Sequence, residues 1–345
     1  MKRQFATASL ALGILVTAAC STATSTGGGV GSGNGTNSGE SCGYAFVHAA
    51  PIGSSLFEKW AEDGVQQARA ELGIDVDSVE SATPTAIADN FRAFAQQKCK
   101  KVIATVSFTA VEALTQVAKE FPDQQFAILD AEVDLPNVRS YTWAVEQATY
   151  VTGVAAALLS RSGTIGAVFG MEVPPLKRWQ AGYEQGATTA KPGTKVLVNY
   201  VGSFSDPAKS LTLAIAQKQQ GADIILPASG SNLGVISESA KNGFLVAGVD
   251  PEEARKGGEA GVAFTMYQKV ADSVEIMFGE DWGPTLLTGT RNLTLADGVF
   301  EFDPFNTSSG TYDGKVPPEV IQAAKAAYDD IVSGKIVVKN PLAGQ

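Results

Sequence analysis

Little in this sequence is equipped to make or break a covalent bond. It contains one histidine, His48, so no multi-histidine metal site can form within a single chain. No Gly-x-Ser-x-Gly elbow is present; the run GSNLG from Gly230 sets Ser231 in the wrong place for a nucleophile. GTYDGK, ending at Lys315, is one residue short of a phosphate-binding loop. Acids are numerous, yet no local pair marks general acid–base work, and only a pair formed in space stays open. No catalytic residue, metal or cofactor is expected.

Recognition is better provided for. His48, Phe57, Ser107, Phe108, Asp130, Trp179, Gly230, Asn232, Asp250 and Lys269 all fall near junctions between strand-like and helical stretches. Open α/β sheets bind ligands at the carboxyl ends of their strands. A stacked flat ring gains roughly 0.5–1.5 kcal/mol beyond area burial. Polar groups discriminate because an unpaired buried one costs about 1–3 kcal/mol. Plainer roles compete at each position. These are core packing for His48, Phe57 and Trp179, helix capping for Asp250 ahead of Pro251, a solvated helix face for Lys269, and an ordinary turn for Gly230 to Asn232.

The elements that must position these residues alternate. YAFVHAA (Tyr44 to Ala50) reads as a buried strand, and an amphipathic helix with Phe57, Trp60, Ala61, Val65 and Ala68 on one face follows. A strand at 76–80, a helix at 84–97, strand KVIATVSF, helix AVEALTQVAKEF and strands QFAILDA and VRSYTWA come next. A long helix at 146–160 leads to strand TIGAVFG and then MEVPPLKRWQAGYEQGA (Met171 to Ala187). There Pro174 and Pro175 suit a helix start, and Trp179, Gly182, Tyr183 and Gly186 recur at helical spacing. Strand KVLVNYV, helix 207–220, strand ADIILPA, helix 233–241 and strand FLVAGVD repeat the pattern. Strands near 262–266, 291–295 and 299–302 and helices near 269–279 and 318–333 complete it. Near-continuous apolar strands between helices predict parallel sheets.

Several runs share one resemblance. GMEVPPLKRWQAGYEQG, YVGSFSDPAKS, LPASGSNLGVI, VAGVD and TMYQKVAD resemble, in order, the signature segments of the basic membrane protein (BMP) family; upstream, FPDQQFAILDAEVDLPNV and TWAVEQATYVTGVAAALLSRSGTIG do so too. This family comprises substrate-binding lipoproteins of nucleoside ABC importers. The resemblance spans about 44–303. It implies a type I periplasmic-binding-protein fold: two Rossmann-like lobes with a ligand cleft between them. It also implies that Phe57 and Trp179 flank a base, that Asp250 holds ribose hydroxyls, that Lys269 lies near the sugar, and that Gly230 to Asn232 bring backbone to the ligand. Ser107, Phe108 and Asp130 are further candidates for the pocket wall, and Phe204 is expected to pack on the hinge side of its own lobe. His48 stands where the family carries a base-reading aspartate. A neutral imidazole accepts one hydrogen bond and donates one, so His48 is expected to face the ligand and alter its selectivity.

The 345 residues suffice for two lobes, and a formal net charge of −10 argues against a nucleic-acid partner. Lys2 and Arg3 precede a short apolar run, Ala8 to Ala18, and Thr17-Ala18-Ala19-Cys20 resembles a lipidation box with Cys20 as the acceptor. Residues 21–40, rich in Gly, Ser and Thr, read as a flexible tether. Cys42 and Cys99 each precede a strand; first and third strands are neighbours in a doubly wound sheet, so a Cys42–Cys99 disulfide is expected in an oxidising compartment. The expected organisation is a signal peptide (1–19), a lipidated cysteine and tether (20–41), an N-terminal lobe (42–144), a C-terminal lobe (145–262) and shared crossing segments with a terminal helix (263–345). The function expected is an extracytoplasmic, lipid-anchored monomer that binds a nucleoside, purine foremost, for an ABC permease. The alternatives are a signalling receptor module and a binder of another small polar solute.

Overall fold

The apolar alternation resolves into two six-stranded sheets. The computed structural model describes residues 43–305 and 315–342. The first sheet contains β1 (Gly43–His48), β2 (Val76–Glu80), β3 (Lys100–Val106), β4 (Phe126–Leu129) and β5 (Val138–Trp143). The second contains β6 (Thr164–Phe169), β7 (Lys195–Tyr200), β8 (Ile224–Ala228), β9 (Leu245–Gly248) and β10 (Val262–Gln268). The chain then returns: β11 (Gly289–Leu293) joins the first sheet beside β5, and β12 (Phe300–Asp303) joins the second antiparallel to β10. The orders are β11-β5-β4-β3-β1-β2 and β12-β10-β9-β8-β6-β7. Among these twelve strands every pairing other than β10 with β12 is parallel, as the doubly wound reading requires.

Helices cover both faces of each sheet, and the strand period of two sorts the side chains between them. On β1, Phe46 joins one apolar cluster with Ala61 and Val65 of α1 (Leu56–Glu71) and Val274 of α9 (Val270–Phe278). Its neighbours Ala45 and Val47 join another, with Phe91 of α2 (Pro84–Gln96) and Leu114 of α3 (Val111–Glu120). The second sheet repeats this arrangement. α6 (Pro207–Gln219) and α7 (Leu233–Asn242) cover one face around Val168 and Ile225. The other face meets α4 (Val145–Leu159), α5 (Pro174–Ala190) and α10 (Pro318–Val332). The cluster containing Phe46 runs on without a break into Ile165, Phe264 and Phe302, so one core joins both lobes.

Local sequence sets the helix starts. Ser55 caps α1 through its Oγ, which accepts the Glu58 amide at 3.2 Å. Prolines occupy the first turns of α2, α5, α6, α8 (Pro251–Gly257) and α10. The helical repeat Trp179, Gly182, Tyr183, Gly186 is the face of α5 that meets α4. A Cβ on Gly182 would lie 2.1 Å from the Glu146 carbonyl, and one on Gly186 2.0 Å from that of Tyr150, so only glycine admits this approach.

Candidate functional site

Carboxyl ends of strands from both sheets meet across one gap, and the backbone there is unusual. Three non-glycine described residues hold positive φ, and two of them, Ser107 (φ 99°) and Asp130 (φ 74°), end the adjacent strands β3 and β4. Such conformations cost about 1–3 kcal/mol each and recur where a site demands them. Ser107 is buried; its Oγ accepts the Thr109 amide at 3.2 Å, which turns Phe108 outward to 52% exposure. Asp130 is half-buried, and burial pushes its carboxyl up to about 7 against the opposing pull of Arg178. Arg178, in the second turn of α5, is itself held by Glu146 at 2.8 Å.

A ring from each lobe meets in the gap. Phe108 and Phe204, which follows β7, lie with centroids 6.5 Å apart and planes tilted by 45°. Phe204 rests on two glycines at the ends of neighbouring strands. A Cβ at Gly170 would lie 2.4 Å from its ring, and one at Gly230, where φ is +73°, 2.9 Å from its carbonyl oxygen. Phe204 therefore does more than pack within its own lobe, contrary to expectation. A second pair spans the lobes: Trp60 of α1 and Tyr267 of β10, with centroids at 5.2 Å. Phe57 and Trp179 are half-buried against the shared core, and among the described residues no ring pair joins them.

The remaining candidates divide. Asp250 is buried and caps α8 through Oδ1, which accepts the amides of Glu252 (2.6 Å) and Glu253 (3.3 Å). Burial raises its pKa and the two amides work against that rise. Its second oxygen takes no part in the cap. Lys269 stands where the chain passes from β10 to α9 and pairs with Asp272. Asn232 serves the turn carrying Gly230: its Oδ1 accepts the Ser229 amide at 2.9 Å and its Nδ2 donates to Glu253 at 2.9 Å.

His48 corrects the sequence reading. It is fully buried at the end of β1, and both ring nitrogens are taken: Nδ1 by Glu58 at 3.0 Å and Nε2 by Glu62 at 2.9 Å. Burial pushes its pKa down, but the hydrogen bonds and charges of Glu58 and Glu62 outweigh that and leave it raised. An imidazole so occupied has no ring nitrogen left to read a ligand; it pairs with Glu58 and Glu62 instead. Glu58 and Glu62 both belong to α1. Their spacing of four does place both on one helix face over the end of β1.

Beside Phe108 the gap opens into a cavity of about 400 Å³. Asp130 and Trp143 of the first lobe, Pro174 and Arg178 of α5, and Asn340 and Leu342 near the carboxyl terminus line it. Its size falls within the usual range for small-molecule sites. Of the two cysteines expected to pair, Cys42 lies outside the described residues, as does Cys20; Cys99 directly precedes Lys100, which pairs with Gly43.

Residues 44–338 match the family of PnrA-like ABC transporter substrate-binding proteins, Bmp. The chain belongs to this family. It is 30% identical over 269 residues, 71% of this chain and 72% of the relative, to the ABC transporter nucleoside-binding protein BmpA of Lactococcus lactis. It is 27% identical over 330 residues, 84% of this chain and 81% of the relative, to an uncharacterized lipoprotein of Pyrococcus abyssi. In fold, this Bmp chain superposes on an ABC transporter system solute-binding protein from Aeropyrum pernix K1. The TM-score is 0.69 at 21% identity, covering 88% of this chain and 94% of that one.

Proposed function

We propose that this Bmp-family protein is the extracytoplasmic receptor of an ABC importer, tethered by lipid on Cys20, and that it closes its two lobes on a nucleoside or related nucleobase compound. It hands that ligand to a permease and catalyses no reaction. The observation that carries the ligand class is the Phe108–Phe204 pair. Two carbon–carbon contacts of about 3.5 Å sum to about 7 Å. The 6.5 Å separation therefore needs only slight widening, with the tilt relaxed, to admit a planar ring. Asp250 and Lys269 supply a carboxylate and an ammonium on the second-lobe side, and Asp130 a carboxyl on the first. The name of the Lactococcus relative favours the same ligand class. Trp60 against Tyr267 already links one lobe to the other, and hinge closure on a ligand adds contacts of this kind.

A thermal-shift panel of nucleosides, free bases, sugars and amino acids tests this. At a hundredfold excess over Kd a ligand adds about 2.7 kcal/mol. That is roughly 5 °C at about 2 °C per kcal/mol. A purine nucleoside is expected to give this shift in the wild type and to lose most of it in Phe204→Ala. A shift from sugars or amino acids alone, or one unchanged in Phe204→Ala, would overturn the proposal.

A further inference from the structure

After α10 the chain does not simply trail away. Residues 336–342 alternate: Ile336, Val338, Asn340 and Leu342 are half-buried, while Val337, Lys339 and Pro341 are exposed. This is the period of an extended strand with one face down. It lies along α5, and one side chain fastens it there. Gln185 accepts the Lys339 amide on Oε1 at 3.0 Å and donates from Nε2 to the Lys339 carbonyl at 2.9 Å. Ile336 and Val338 pack against the shared core. Beyond the fastening, Asn340 folds back, and its Oδ1 accepts the Leu342 amide at 2.9 Å. That turn sets Asn340 and Leu342 against the cavity that Phe108 and Asp130 line from the other lobe.

We propose that residues 337–342 form a strap that walls the ligand chamber, with Asn340 as a ligand-facing residue and Gln185 as the positioning residue that holds it. Three observations converge. The strap tip lines a cavity to which both lobes contribute. The cavity shares Phe108 with the ring pair, so the strap borders the stacking site. The segment lies at the surface, with Val337, Lys339 and Pro341 exposed, and segments with fewer buried contacts than the core strands open at lower cost. A ligand in the chamber leaves past this wall more readily than past the sheets, so the strap governs release more than entry. The ligand named here rests on the function proposed above; the strap itself does not.

The test compares the full chain, a chain ending at Ile336, and Gln185→Ala, which frees the strap without altering the cavity lining. Guanosine and adenosine serve as probes in stopped-flow binding. The strap predicts dissociation at least tenfold faster in both variants, association within twofold, and a ligand-free melting point within a few degrees of wild type. Asn340→Ala is expected to lose affinity with the strap in place. Unchanged dissociation in both variants overturns the proposal. Should the wild type bind neither probe, the nucleoside reading fails, and hydrogen exchange decides on the strap. Peptides covering 130–134 and 174–178 should exchange faster in the shortened chain, and identical exchange would refute the wall.

Discussion

Replacing His48 by leucine removes the imidazole held between Glu58 and Glu62 and leaves Glu58, 4% exposed, without its side-chain partner. Breaking such a pair on one side costs about 3–5 kcal/mol. Glu62 is less buried, at 17% side-chain exposure, and adds little to that figure. At about 2 °C per kcal/mol, the melting point should fall by roughly 6–10 °C. The sign of the pH dependence is also fixed. The pKa of His48 is raised in the folded protein, so its contribution is complete below the unfolded value of about 6.5 and fades as pH rises through the folded value. Asp130, raised to about 7, tilts stability in the same direction, but it does so equally in both proteins and cancels in the difference. Melting curves for wild type and His48→Leu from pH 6 to pH 9 should therefore converge with rising pH. A gap that is constant over this range, or below about 2 °C throughout, would mean that His48 is neutral and merely packed.

Three further outcomes are expected. Asp130 is neutral below about pH 7, so affinity for a hydroxyl-donating ligand should rise between pH 6 and 8, and titration calorimetry on Asp130→Asn should give a flat profile. Gly230→Ala places a Cβ 2.9 Å from the Phe204 carbonyl at a φ of +73°; it should cost about 1–3 kcal/mol in chemical denaturation and weaken ligand binding as Phe204 is displaced. If Cys42 and Cys99 are joined across β1 and β3, the intact mass should rise by two hydrogens on reduction and no thiol should react beforehand; two reactive thiols would dismiss the bond.

Much of the architecture could be read from the chain because both faces of each sheet are covered. Strands such as FAIL and IILPA are then apolar throughout, and the helices between them carry clear apolar faces. What escaped was short or depended on distant partners. Helix α8 has seven residues and no room for periodicity, so only its Asp250–Pro251 start was readable. Phe204 gains its place from Gly170 and Gly230, which lie in sequence on either side of it and come together only when β6 and β8 pair. The matched aspartate position led to His48 as a ligand contact; the α1 carboxylates that claim it lie 10 and 14 residues away. Trp179 belongs to a repeat whose regularity comes from α5 seating on α4. Asp250 was legible as a helix cap ahead of Pro251, and that cap consumes only one of its two oxygens.

The position of β11 sets an order of events. This strand pairs along all of its five residues with β5, yet it is made about 145 residues later, after five of the six strands of the second sheet. A nascent chain emerging from the ribosome can thus assemble five strands of its first sheet early and must leave their outer edge unpaired until residue 293 arrives. α9, which covers α1, is equally late. Contacts so far apart in sequence slow folding. A product cut off before residue 289 would carry a sheet with a bare margin, the feature that most invites one chain to pair with another.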